Sequence, residues 1–105
     1  MASKIDYQCK RALVVGINKY PRNPLMFCLN DAEDLDEALR RIGFEVTLGI
    51  NCNRREFLDI IESFVQAIQH TDLVLFYFAG HGKQNNDQNY LLLSDYDYDY
   101  GTSED

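Results

Sequence analysis

Proline occurs only twice in the 105 residues, cysteine three times and histidine twice. No stretch approaches the roughly 20 consecutive apolar residues that a membrane-spanning helix needs. Few prolines, with 46% hydrophobic and 12% aromatic residues, exclude a collagen-like or low-complexity chain and point to a globular one. Cys9, Cys28 and Cys52 are an odd number without C-x-x-C spacing, so neither a disulfide framework nor a zinc knuckle is indicated. A reducing, cytoplasmic setting is expected, and the opening MASKIDYQCKR has no apolar core of a secretory leader. Basic stripes are also missing. Segment 94–105 holds five of the 17 acids and no base, which leaves 12 acids against 10 bases elsewhere, so no nucleic-acid partner is expected. Neither G-x-G-x-x-G nor G-x-x-x-x-G-K is present, which removes the phosphate cradles of dinucleotide and P-loop proteins. His70 and His81 have no cysteine at ligand spacing, so no metal site is expected.

What is present reads as one domain, since a chain this short builds a single modest core. The β-branched run RALVVGI at 11–17 predicts a buried parallel strand. In NDAEDLDEALRRIGF, Asn30 with Glu33 three residues on resembles a capping box. It predicts a first helix over 31–42, with Ala32, Leu35, Leu39 and Ile42 on its buried face and Gly43 as its left-handed stop. FEVTLGI alternates and predicts an edge strand over 44–50. Asn53 with Glu56 repeats the capping signature before a second helix, whose apolar face is Phe57, Ile60, Ile61, Phe64, Val65 and Ile68. LVLFYF at 73–78 is apolar on both faces and predicts a central strand covered by helices on both sides. A polar loop over 83–89 then leads to a short fourth strand beginning YLLL. This order predicts a doubly wound, mostly parallel α/β sheet with flanking helices, its first strand between the second and third. Its reactive crevice is expected beyond the strands' carboxyl ends.

His81 stands at that edge between Gly80 and Gly82. An imidazole there can move protons at neutral pH, and the Gly82 N–H can donate to a developing oxyanion. A tight turn whose histidine simply faces water is the competing reading. Asp31, near the first helix's start, either stabilises the helix dipole or selects a cationic substrate group. Asp95, Asp97 and Asp99 only weakly match a calcium loop, because the glycine comes one residue late and no closing Glu follows.

Taken in order, KRALVVGINKYP, CLNDAEDLDEALRRIGFEVT, DLVLFYFAGHG and NYLLLSD resemble the N-terminal part of a caspase-like cysteine peptidase domain, of the metacaspase and paracaspase branch. The resemblance implies a caspase-like α/β/α sandwich, C-terminally incomplete. Residues 1–9 would be an N-terminal extension, 10–95 the partial catalytic domain, and 96–105 an acidic mobile tail. It implies His81 as catalytic histidine, Gly82 as an oxyanion-hole amide and Asp31 as the pocket residue for substrates with Arg or Lys before the scissile bond. No cofactor is implied, and calcium dependence is left open. The family's nucleophile, a cysteine in an Asp-x-Cys setting on the next central strand, is not reached, and Cys28 reads as a packing residue. The fragment alone is therefore expected to be inactive and to leave strand 90–93 as an apolar edge. It would need a complementing caspase-like segment, or act as a non-catalytic interaction module.

Overall fold

At the centre of the computed structural model, which describes residues 9–96, lies the β-branched run. β1 (Lys10–Gly16) buries Ala12, Leu13, Val14 and Val15, so both of its faces are covered. β2 (Phe44–Ile50) and β3 (Leu73–Ala79) flank it in parallel, giving the order β2-β1-β3 that the winding rule predicts. The helices take opposite faces. Ala32 and Leu39 of α1 (Cys28–Arg41) pack with Ala12 and Val14, whereas Phe57 and Phe64 of α2 (Arg54–Ala67) pack with Leu13 and Val15. The expected capping box at α2 is present: Asn53 accepts from the Glu56 N–H at 2.8 Å, and the Glu56 carboxylate accepts from the Asn53 N–H at 3.0 Å. No helix among the described residues is long and apolar enough to cross a membrane.

The first helix starts earlier than its sequence suggests. Asn30 lies inside α1 rather than capping it, and Phe27, at the cap position, offers no side-chain bond. The cap comes from the preceding loop, where the Asn18 Oδ1 accepts the N–H groups of Cys28 at 2.8 Å and Leu29 at 3.3 Å. With those donors satisfied from a distance, the local Asn30–Glu33 pattern has no end to cap. Ile42, expected on the buried face, is 60% exposed because the helix stops at Arg41 and Gly43, at φ 96°, turns the chain away.

β3 is not central among the described residues; it is an edge of the three-stranded sheet. Leu75 and Tyr77 pack on the α1 side, but Val74 and Phe76, on the opposite face, stay 42% and 48% exposed. The reason is where α2 sits. Its Ser63 and Ala67 face the β2 flank, where with Glu45, Val46 and Thr47 they line a cleft of about 200 Å³. By helical spacing Leu58, Ile61 and Val65 fall on the other flank, toward β3, and Leu58 and Val65 remain exposed. Val65 therefore leaves the predicted buried face.

The expected polar loop and fourth strand are a separate hairpin. β4 (Gly82–Asn85) pairs antiparallel with β5 (Gln88–Leu91) and neither joins the parallel sheet. Asn86 and Asp87 adopt φ 52° and 66°, the left-handed pair required by a two-residue type I′ turn. Nor is 90–93 an open apolar edge. Leu92 is buried in the α2-side core and Tyr90 and Leu93 pack against it, although Leu91 is exposed. Among the described residues, the uncovered apolar strand is β3.

Candidate active site

Gly16, Ile50 and Ala79 lie in register at the carboxyl edge of the sheet. The chain leaving Gly16 forms loop 17–27 and enters α1, whose first turn rests on the end of β1. A Cβ on Gly16 would come within 2.7 Å of both the Ala32 Cβ and the Cys28 carbonyl oxygen. Asp31 is exposed in that first turn, and its N–H donates to the Phe27 carbonyl at 2.9 Å. His81 follows β3 two residues after Ala79. Asp31 and His81 thus belong to different elements that meet the same sheet edge.

Loop 17–27 is braced by asparagines. The Asn51 Oδ1, held at φ 51° just after β2, accepts the N–H groups of Asn18 at 2.9 Å and Lys19 at 3.1 Å. The braced loop passes over His81. The imidazole Nε2 lies 2.7 Å from the Asn23 carbonyl oxygen, and the Tyr20 ring packs on the imidazole with centroids 4.6 Å apart. A carbonyl oxygen can only accept, so Nε2 carries the proton. In the neutral ring Nδ1 then holds the lone pair, the form in which it can act as a base.

The hairpin sets the direction of the Gly82 amide. Leu92 donates its N–H to the His81 carbonyl at 3.0 Å, so Gly82 and Leu91 form a non-hydrogen-bonded pair of the antiparallel ladder. The Gly82 N–H consequently points away from β5. Nothing steric demands glycine there, since a Cβ would meet only the Tyr90 carbonyl oxygen at an ordinary 3.5 Å. Gly80 is different: a Cβ would lie 2.5 Å from the Tyr20 hydroxyl.

None of the three thiols is activated. Burial, reinforced by nearby Asp31, pushes the Cys28 thiol above its ordinary value. Burial and then Glu56 do the same to Cys52, and burial followed by a Glu45 hydrogen bond to Cys9. Each is a weaker nucleophile at neutral pH than a free cysteine. Among the described residues no cluster of His, Cys, Asp or Glu could hold a metal ion. Of the three aspartates resembling a calcium loop, Asp97 and Asp99 lie outside the described residues, while the Asp95 Oδ1 accepts the Arg54 N–H at the start of α2.

Sequence reasoning missed Asn18, Tyr20, Asn23 and Asn51. Two of them carry a readable trace, because Asn23 and Asn51 adopt the left-handed conformation that asparagine tolerates. Tyr20 has none beyond being an aromatic in a polar loop. The family model described as the caspase domain matches residues 9–104. Comparison with curated proteins gives no match.

Proposed function

This chain belongs to the caspase-domain family, whose members are cysteine peptidases acting on protein substrates, and from that premise we propose that it supplies the histidine half of an endopeptidase site specific for Arg or Lys. The carrying observation is the 2.7 Å contact of the His81 Nε2 with the Asn23 carbonyl, which supports a tautomer with its proton on Nε2 and its lone pair on Nδ1. In this reading Nδ1 takes the proton of a cysteine thiol, and the thiolate attacks the scissile carbonyl carbon. The resulting oxyanion accepts from the Gly82 N–H, and collapse breaks the C–N bond as the imidazolium returns its proton to the leaving amine. Water then hydrolyses the thioester. Asp31, exposed at the same edge, pairs with the substrate's guanidinium or ammonium group. The raised pKa values of Cys9, Cys28 and Cys52 argue that the nucleophile is none of these, so it comes from an Asp-x-Cys strand beyond the described residues or from a complementing segment.

Reading the transcript past Asp105 and assaying the chain carrying the first in-frame Asp-x-Cys strand tests this. Peptides with Arg or Lys before the scissile bond should be cut, with kcat/KM lowered about 10³-fold or more by His81→Ala. Asp31→Ala should abolish the basic preference. Cleavage after Asp, or cleavage unaffected by His81→Ala, overturns the reading. A second reading, a non-catalytic module docking through its sheet edge, draws support from the exposure of Val74 and Phe76. A stop codon directly after Asp105 would favour it.

A further inference from the structure

The base of the β4–β5 hairpin lacks one rung. Continuing the register pairs His81 with Leu92, and one bond of that pair is made, from the Leu92 N–H to the His81 carbonyl at 3.0 Å. Its reciprocal is replaced. The His81 N–H donates to the Tyr20 hydroxyl oxygen at 2.9 Å, and that hydroxyl donates its own proton to the Leu92 carbonyl at 2.8 Å. Two hydrogen bonds in series therefore stand where one would close the ladder, and they fix the backbone from which the imidazole projects. Tyr20 is only 5% exposed. Gly80 admits the hydroxyl, since any Cβ there would collide with it. The tyrosine ring then backs the imidazole, and three residues further along the same loop Asn23 takes the Nε2 proton.

We propose that Tyr20 is the positioning residue for His81: its hydroxyl, inserted into the hairpin ladder, orients the imidazole so that Nε2 donates to the Asn23 carbonyl. This rests on the reading of His81 as the proton-transfer group. A residue that only filled the core would contribute stability through its ring. A positioning residue sets the tautomer of a second residue through its hydroxyl.

The chain has only two histidines, so ¹⁵N NMR can follow the His81 ring with exposed His70 as internal reference. In the native chain the His81 ring should be predominantly in the Nε2–H form when neutral, with a slowly exchanging backbone amide. Tyr20→Phe keeps the ring and removes the hydroxyl. The His81 amide should then exchange about 10- to 100-fold faster, as expected for losing a buried hydrogen bond. The two tautomers of the His81 ring should mix, while the ring signals of His70 stay put. Gly80→Ala, which displaces the hydroxyl without removing it, should move the same signals in the same direction. A Tyr20→Phe chain that melts earlier but keeps the His81 tautomer overturns the proposal, as does a native His81 amide exchanging like an open loop. The peptidase reading fails separately, on His81→Ala in the cleavage assay. If that variant is dead and the Tyr20→Phe ring is unchanged, only the present inference falls.

Discussion

Asn18 engages its backbone N–H, its backbone carbonyl and both atoms of its side-chain amide at once. It bonds Asn51, Leu25, Met26 and the first two amides of α1, so a single side chain fixes both the path of loop 17–27 and the start of the helix carrying Asp31. Asn53 does comparable work for α2, but through Glu56 three residues away, and that reciprocity was legible in the sequence. At α1 the same spacing, Asn30 to Glu33, was a false signal, because the capping oxygen lies ten residues before the first amide it serves. Asn18→Ala should cost about 1–2 kcal/mol, a fall on the order of 5–10 °C in melting temperature for a domain of this size. Asn30→Ala, inside the helix and exposed, should be neutral or slightly stabilising. Thermal melts of the two variants check this; equal losses would restore Asn30 as the cap.

Among the elements, β3 carries the largest difference between pattern and place. Its uninterrupted apolar run correctly signals a strand, but periodicity cannot tell how many neighbours or covers the strand will find. α1 covers its Leu75 and Tyr77, whereas α2, seated toward β2, leaves Val74 and Phe76 open along an edge that is unpaired among the described residues. An apolar edge of this kind is a template for self-association. Phe76→Lys should therefore lower aggregation in sedimentation or light scattering while changing the urea unfolding free energy by less than about 1 kcal/mol, in keeping with a half-exposed ring. A loss of several kcal/mol would mean that Phe76 is core. For the hairpin, the turn residues Asn86 and Asp87 were in plain view within a polar run, yet the strands beside them lack the alternation that marks a strand.

Across the whole molecule, the two ends of the sheet have different tasks. The carboxyl edge gathers loop 17–27, Asp31 and the His81 hairpin, while the amino edge is locked by charge. Arg11 in β1 donates to Asp72, ahead of β3, at 2.7 Å and to Glu45 in β2 at 3.0 Å. The Asp72 side chain is inaccessible to solvent. The Gln69 N–H bond, with Arg11 assisting, outweighs burial and holds its carboxyl below the ordinary value of 3.8. A carboxyl depressed on folding adds stability above the unfolded pKa and loses it as pH falls through the folded one. The urea midpoint should thus be insensitive to this group from pH 7 to 5 and should drop below about pH 4. Asp72→Asn should lower stability at pH 7 and flatten that acid limb. An unaltered acid limb in the variant would show that another group governs it.

Composition, periodicity and turn chemistry by themselves determined the parallel α/β class, the order β2-β1-β3, the second helix with its capping box, and the strand that ends at a glycine-flanked histidine. The elements are short-range matters, encoded by which residues lie one to four positions apart, and the strand order then follows from the handedness of the crossovers between them. Only the tertiary structure decided that Asn18 caps α1, that β3 is an edge, and that the Tyr20 hydroxyl completes the ladder beneath His81. The Tyr20 and His81 partners are 61 residues apart, and a hydrogen bond over that span leaves no local pattern, because it exists only once β1 and β3 have been brought side by side.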